Sequence, residues 1–164
     1  MPGLPRIPAG PGRQPFDARA AELVEQFRPA VVSFHFGLLP DDLLVRVKAT
    51  GAFVLSSATT VAEARWLESR GVDAIIAQGL EAGGHRGMFL SDDVTTQVGS
   101  FALLPQIVVA VRCPVIAAGG IATSEGVAAA RALGAAAVQV GTAYLNCPEA
   151  TTGALHRAAL GSEA

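Results

Sequence analysis

The chain has 164 residues, is 51% apolar and 16% charged, and carries a formal net charge of −2. That composition supports one packed domain and excludes a disordered segment. The charge makes no case for nucleic acid or an anionic membrane as a partner, and no run of about 18 apolar residues suggests a membrane span.

Residues 2–15 hold five of the ten prolines and three glycines. Residues 1–16 therefore read as an irregular lead-in ahead of one domain over 17–164. The lead-in has Arg but no apolar h-region, so it does not read as a secretory signal, and a cytoplasmic protein is expected. From Asp17 to Arg28 a helical pattern puts Ala21, Val24 and Phe27 on one face, and Pro29 stops it. VVSFHFG (31–37) is an apolar run fit for a buried strand. Asp41 and Asp42 can start a helix carrying Leu43, Leu44 and Val47, which Gly51 ends. AFVLS (52–56) is the next strand. Thr60 and Glu63 form a capping-box pattern for a helix that runs toward Arg70 and Gly71. VDAIIA (72–77) is a third strand, and a Gly-rich loop follows over 78–99. A helix over Leu104 to Val111 leads through Pro114 into the strand VIAA (115–118). Thr123 or Ser124 caps a helix ending at Gly134, AVQV (137–140) is the last strand, and the tail from Thr151 to Leu160 reads as helical.

Five apolar strands alternating with helices mean an α/β fold with a covered parallel sheet. Thr60, Gly71 and Ala74 recur as Thr123, Gly134 and Ala137 at a constant offset, so one helix–Gly–strand unit is used twice. Periodicity alone leaves an open doubly wound sheet and a piece of a barrel as alternatives.

Three constellations carry chemistry, each directly after a strand. In AAGGI, Gly119 and Gly120 let backbone N–H groups converge on an anion ahead of a helix N-terminus, the design of a phosphate cradle; a tight turn is the alternative. In QVGT, the segment Gln139, Val140, Gly141 and Thr142 offers a glycine and a hydroxyl from the next loop. A phosphate site shared between the loops after the last two strands recurs in barrels. The third is QGLEAGGHRG (78–87). His85 lies among glycines that leave room for a flat ligand, and an imidazole can exchange a proton near neutral pH. Arg86 could meet an anionic substrate or form an exposed salt bridge. Glu81 is expected to tie the loop to a backbone amide. His35 either lines the site with Ser33 and Gly37 or is a hydrogen-bonded core residue. Neither a GxxxxGK[ST] nor a GxGxxG fingerprint is present. Cys113 and Cys147 make no disulfide framework, and no cluster has metal-ligand spacing.

VVSFHFG, SSATT, QGLEAGGHRG, VIAAGGIAT and QVGTAYL, in that order, resemble the nitronate monooxygenase family, formerly the 2-nitropropane dioxygenases, over residues 17–150. The resemblance implies a partial (β/α)8 TIM barrel whose five strands match strands four to eight of the family fold. It implies FMN as cofactor, with Gln78, Gly83 and Gly84 at the flavin and Gly119, Gly120 and the segment Gln139–Thr142 at its phosphate. His85 falls on the family's catalytic histidine. The implied reaction oxidises an alkyl nitronate with O₂ to a carbonyl compound and nitrite, through reduced flavin. Whole barrels have eight βα units in about 250 residues. The earlier strands have no counterpart here, so self-association or a missing N-terminal barrel piece is expected, and the chain alone is not expected to be an active monomer. The rival readings are a flavin-dependent enoyl-acyl-carrier-protein reductase, which shares an EAGGH-like loop, and a non-catalytic barrel fragment.

Overall fold

A computed structural model describes residues 15–162, so nearly all of the lead-in expected over 1–16 lies outside the described residues. The elements alternate from the start: α1 (Ala18–Phe27), β1 (Val31–Phe34), α2 (Asp41–Ala49), β2 (Phe53–Ala58), α3 (Val61–Ser69) and β3 (Ala74–Gln78). After a long loop come α4 (Ser100–Ala110), β4 (Val115–Ala118), α5 (Ser124–Ala132), β5 (Ala137–Gln139) and α6 (Ala154–Leu160), with short 3-10 turns at Val94–Thr96 and Thr142–Asn146.

Side-chain caps explain where α1, α3 and α5 begin. Asp17 Oδ1 accepts from the Ala20 N–H at 2.9 Å at the head of α1. Thr60 and Thr123 do the same for α3 and α5, accepting from Glu63 and Gly126 at 3.2 Å each. Each satisfies one of the N–H groups that a helix start leaves free. The repeat seen in the sequence is thus a repeat of structure, and Gly71 and Gly134 close its two helices in the left-handed region. Among the helices α4 departs most, starting at Ser100 rather than Leu104 and carrying Pro105 inside it. Pro105 has no N–H to offer the Phe101 carbonyl, so the helix lacks one interior bond there.

All neighbouring strands pair in parallel and in sequence order, β1-β2-β3-β4-β5. A doubly wound sheet reverses its order at a switch point and puts helices on both faces. Here the order never reverses, and one face is covered. Phe34, Val54, Ile75, Val115 and Ala117 point into a core shared with Val47, Leu67, Leu103 and Ile107 of the helices. The alternating positions form the other face, which is uncovered toward the start of the strands: Val31 is 51% and Phe53 45% exposed there. A singly wound parallel sheet of this kind is a barrel segment. Toward the strand ends the same face turns polar and buried at Ser57 and Gln78, because the loop after β3 folds back over it. Among the described residues no helix is long and apolar enough to cross a membrane.

Candidate active site

The loop between β3 and α4 has only one 3-10 turn of regular structure, so its backbone groups need partners from elsewhere. Three side chains supply them. Gln78, at the end of β3, uses both ends of its amide: Oε1 accepts from the Gly87 N–H at 2.6 Å and Nε2 donates to the His85 carbonyl at 3.0 Å. Glu63, in the first turn of α3 and 1% exposed, accepts from the Phe89 and Leu90 amides at 2.6 and 3.1 Å. Its other oxygen accepts from the amide and hydroxyl of Thr59, both at 2.7 Å. The capping-box reading of Glu63 is therefore incomplete. The carboxylate closes the helix start and also pins a loop 26 residues downstream.

Glu81 does what its sequence reading expects, and its Oε2 accepts from the Ser100 N–H at 2.8 Å. Ser100 Oγ lies 2.8 Å from Glu81 Oε2 and 3.0 Å from the Gly119 carbonyl, so its one proton serves either. Burial pushes the Glu81 carboxyl up, but bonds from its own amide and from Ser100 outweigh this and hold it below the ordinary value. Glu68 is lowered too, by the Arg112 amide first, against a smaller effect of burial and with help from Cys113. The two carboxylates thus hold the entry and the exit of α4. Gly79 is obligatory in this packing, since a Cβ there would come within 2.7 Å of the Ser100 Cα.

The result is a polar mouth at the C-terminal ends of the strands, where barrels keep their chemistry. Gln78, Ala118 and Gln139 are register neighbours on the uncovered face. His85 is exposed at this mouth. Its ring meets Phe36 edge to face, with centroids 6.0 Å apart. His35 lies in the turn after β1, exposed rather than in the core, with Nδ1 2.7 Å from Ser57 Oγ. The strand expected over 31–37 stops at Phe34, so His35 reaches the mouth by a turn and not by strand alternation. Arg86 Nη1 donates to the Gly79 carbonyl at 3.4 Å.

The two segments expected to cradle a phosphate flank this mouth. A side chain at Gly83 would come within 3.1 Å of Thr142 Oγ1, so the loops after β3 and β5 meet. Gly119 answers to packing: at φ 109°, a Cβ would stand 2.8 Å from the Ala82 nitrogen. Gly141 and Gly84 face open space. Gly120 and Thr142 are exposed and Val140 is half-buried. Among the described residues, no protein acceptor takes the N–H groups of Gly120, Ile121, Gly141 or Thr142. Free amides beside a hydroxyl and a helix N-terminus fit a phosphate group. Sequence reading missed Glu63 as a loop anchor, and it missed Ser57 and Phe36, because their signal is contact across strands.

The family model for nitronate monooxygenase matches residues 9–163. The chain belongs to the nitronate monooxygenase family. It is 50% identical over 137 residues to a nitronate monooxygenase of Paraburkholderia phytofirmans, and 48% over 133 residues to one of Pseudomonas aeruginosa. These alignments take in 84% and 81% of this chain but 37% and 38% of the relatives, so the chain spans under two fifths of their length. Among solved structures, a nitroalkane oxidase from Streptomyces ansochromogenes superposes with TM-score 0.82 at 41% identity, over 88% of this chain and 42% of that one. FabK from Thermotoga maritima, as an M276A mutant, superposes with TM-score 0.75 at 34% identity, over 88% of this chain and 46% of that one. The five-stranded sheet is thus part of a TIM barrel.

Two outcomes follow for the loop. Glu63→Ala leaves three amides and a hydroxyl without their acceptor, those of Thr59 buried, and a lost charged bond is worth about 1.5–3 kcal/mol. Denaturant unfolding is expected to show a loss of about 3 kcal/mol or more, against little change for the exposed Glu149→Ala. The second concerns acid. The Glu81 carboxyl is lowered in the fold, so its stabilisation is complete above the ordinary glutamate value of 4.5 and is lost as pH falls through the lowered one. The Ser100 amide resonance is expected to titrate below that ordinary value, and Glu81→Gln should abolish the titration.

Proposed function

We propose that this chain supplies the catalytic histidine and the phosphate-binding loops of an FMN-dependent nitronate monooxygenase site, which oxidises an alkyl nitronate with O₂ to a carbonyl compound and nitrite. The observation that carries the reading is the placement of His85. It is exposed at the mouth formed by the strand ends, and the loop that carries it meets the segment with acceptor-free amides where Gly83 packs against Thr142 Oγ1. Those amides and the Thr142 hydroxyl would hold one phosphate, with Gln139 and Val140 completing the segment and Gly119 shaping the turn. A single cradle without a dinucleotide fingerprint favours FMN over FAD. Gly83, Gly84 and Gln78 would line the flavin. Gln78 does so while shaping the loop, since its amide already holds Gly87 and His85. When bound, the flavin supplies the electron-transfer chemistry.

The chain's own part is binding and positioning. His85 can hydrogen-bond an anionic nitro group or exchange a proton with the substrate carbon. The apolar wall at Phe36 suits a short alkyl chain. The nitronate relatives, at 48–50% identity, favour this reading over an enoyl-thioester reductase. The two sheet edges carry unpaired backbone groups, and the uncovered face is apolar at Val31 and Phe53. Self-association, or pairing with separately supplied strands, completes the barrel in this proposal.

Flavin absorbance of the purified chain, free or with the strands that complete it, is the first test. Gly120→Asp, which adds bulk and like charge at the cradle, is expected to abolish flavin binding. Retained absorbance would place the phosphate elsewhere. In the complete barrel His85→Ala is expected to keep flavin and to lose turnover of nitronate by about 10²–10⁴-fold. Unchanged turnover would remove His85 from the reaction, and activity with NADH and an enoyl thioester instead would favour the rival.

A further inference from the structure

The turn after β1 contains a bulky residue where glycine is expected. Phe36 has φ 63°, and Gly37 follows at φ 92°. The left-handed region is unfavourable for a side chain of this size, whereas glycine adopts it freely. Phe36 is not retained to fill the core, because it is 56% exposed. Strain that persists without a packing reason points to a function.

The neighbouring strand fixes the turn on both sides of Phe36. The buried Ser56 hydroxyl donates to the Gly37 carbonyl at 2.8 Å, and Ser57 meets the His35 ring at 2.7 Å. Gly37 also packs on Phe89, whose ring would lie 3.2 Å from an added Cβ. With both flanks held, the Phe36 ring has a set direction, and that direction leads to His85 with the two rings at 90°.

His85 needs such a neighbour. Among the described residues it is hydrogen-bonded through its backbone carbonyl alone. Glycines 83, 84 and 87 surround it in the chain and place no side chain against it. An edge-to-face contact orients an imidazole and leaves both ring nitrogens available. A polar partner would occupy one of them, and an acid–base group in contact with substrate has to keep them free.

We propose that Phe36 is a positioning residue, kept in a strained backbone to orient the His85 imidazole toward the mouth. The proposal rests on the reading of His85 given above. It is tested on the 164-residue chain itself by NMR of the three histidine rings, with His85 assigned from a His85→Gln variant and His156 as internal reference. Phe36→Leu and Phe36→Gly are expected to move the His85 ring-proton resonances toward those of an unstructured histidine and to raise ring mobility by carbon relaxation. His156 and the thermal midpoint should be little changed. The glycine variant removes the backbone strain, so it should fold at least as well as the parent. Phe36→Tyr is expected to restore the parent resonances. His85 resonances that stay in place in both the leucine and glycine variants overturn the proposal, as does a tyrosine variant that behaves like leucine. The readout needs neither flavin nor nitronate, so a failed turnover assay counts against the reading of the site, and an unmoved His85 resonance counts against Phe36.

Discussion

A loop of some twenty residues with almost no regular structure has to satisfy its own backbone, and everything at the mouth of this sheet depends on how that is done. Glu63, Gln78 and Glu81 act as its hydrogen-bonding skeleton, gripping Phe89 and Leu90, His85 and Gly87, and Ser100 respectively. Each grip comes from a rigid element or from the loop's own first turn. The carboxylates are acceptor-only groups facing N–H donors, the pairing in which a hydrogen bond is strongest. Because these anchors are spaced along the loop, the segment between them that carries His85 is short. Gly83 then allows close approach to the loop after β5 and Gly87 to the ends of β2 and β3.

Much of the architecture was legible in the sequence. Strand-length apolar runs, Thr60 and Thr123 as caps, and the repeated helix–Gly–strand unit each have a local cause, and each stands in the structure at the expected place within a few residues. Periodicity carries no information on strand order and left a barrel segment and a doubly wound sheet open, whereas the resemblance of the motifs implied the barrel. The order β1-β2-β3-β4-β5 decides it. The start of α4, expected at Leu104, lies at Ser100, where Glu81 from the preceding loop holds the Ser100 amide. The site was legible where a motif is contiguous, as in the loop holding His85. It was not where it is assembled across strands: the Ser57–His35 bond and the Phe36–His85 contact span 22 and 49 residues of chain. Glu63 was legible as a cap but not as an anchor, because a cap is a local pattern and an anchor is a tertiary one.

The chain presents the part of the barrel in which the loops after successive strands converge. Gly83 against Thr142 joins the third loop to the fifth, and Ser100 against Gly119 joins the third to the fourth. Each loop therefore supports its neighbour, and the segments with acceptor-free amides and the loop carrying His85 are parts of one packed layer. The face that a closed barrel would bury is polar near this layer and apolar at the opposite end. Completion of the barrel would thus bury the apolar end without displacing the groups at the mouth.

The central claim is that the loop over 79–99 is held as firmly as the sheet beneath it, by side chains rather than by secondary structure. Native-state hydrogen exchange of the amides of Gly87, Phe89, Leu90 and Ser100 tests it most directly, with Ile75 and Ile76 of β3 as the standard. Protection of the four loop amides within the range of the two strand amides is the result expected. Exchange at the rate of an unstructured peptide, with β3 still protected, would contradict it.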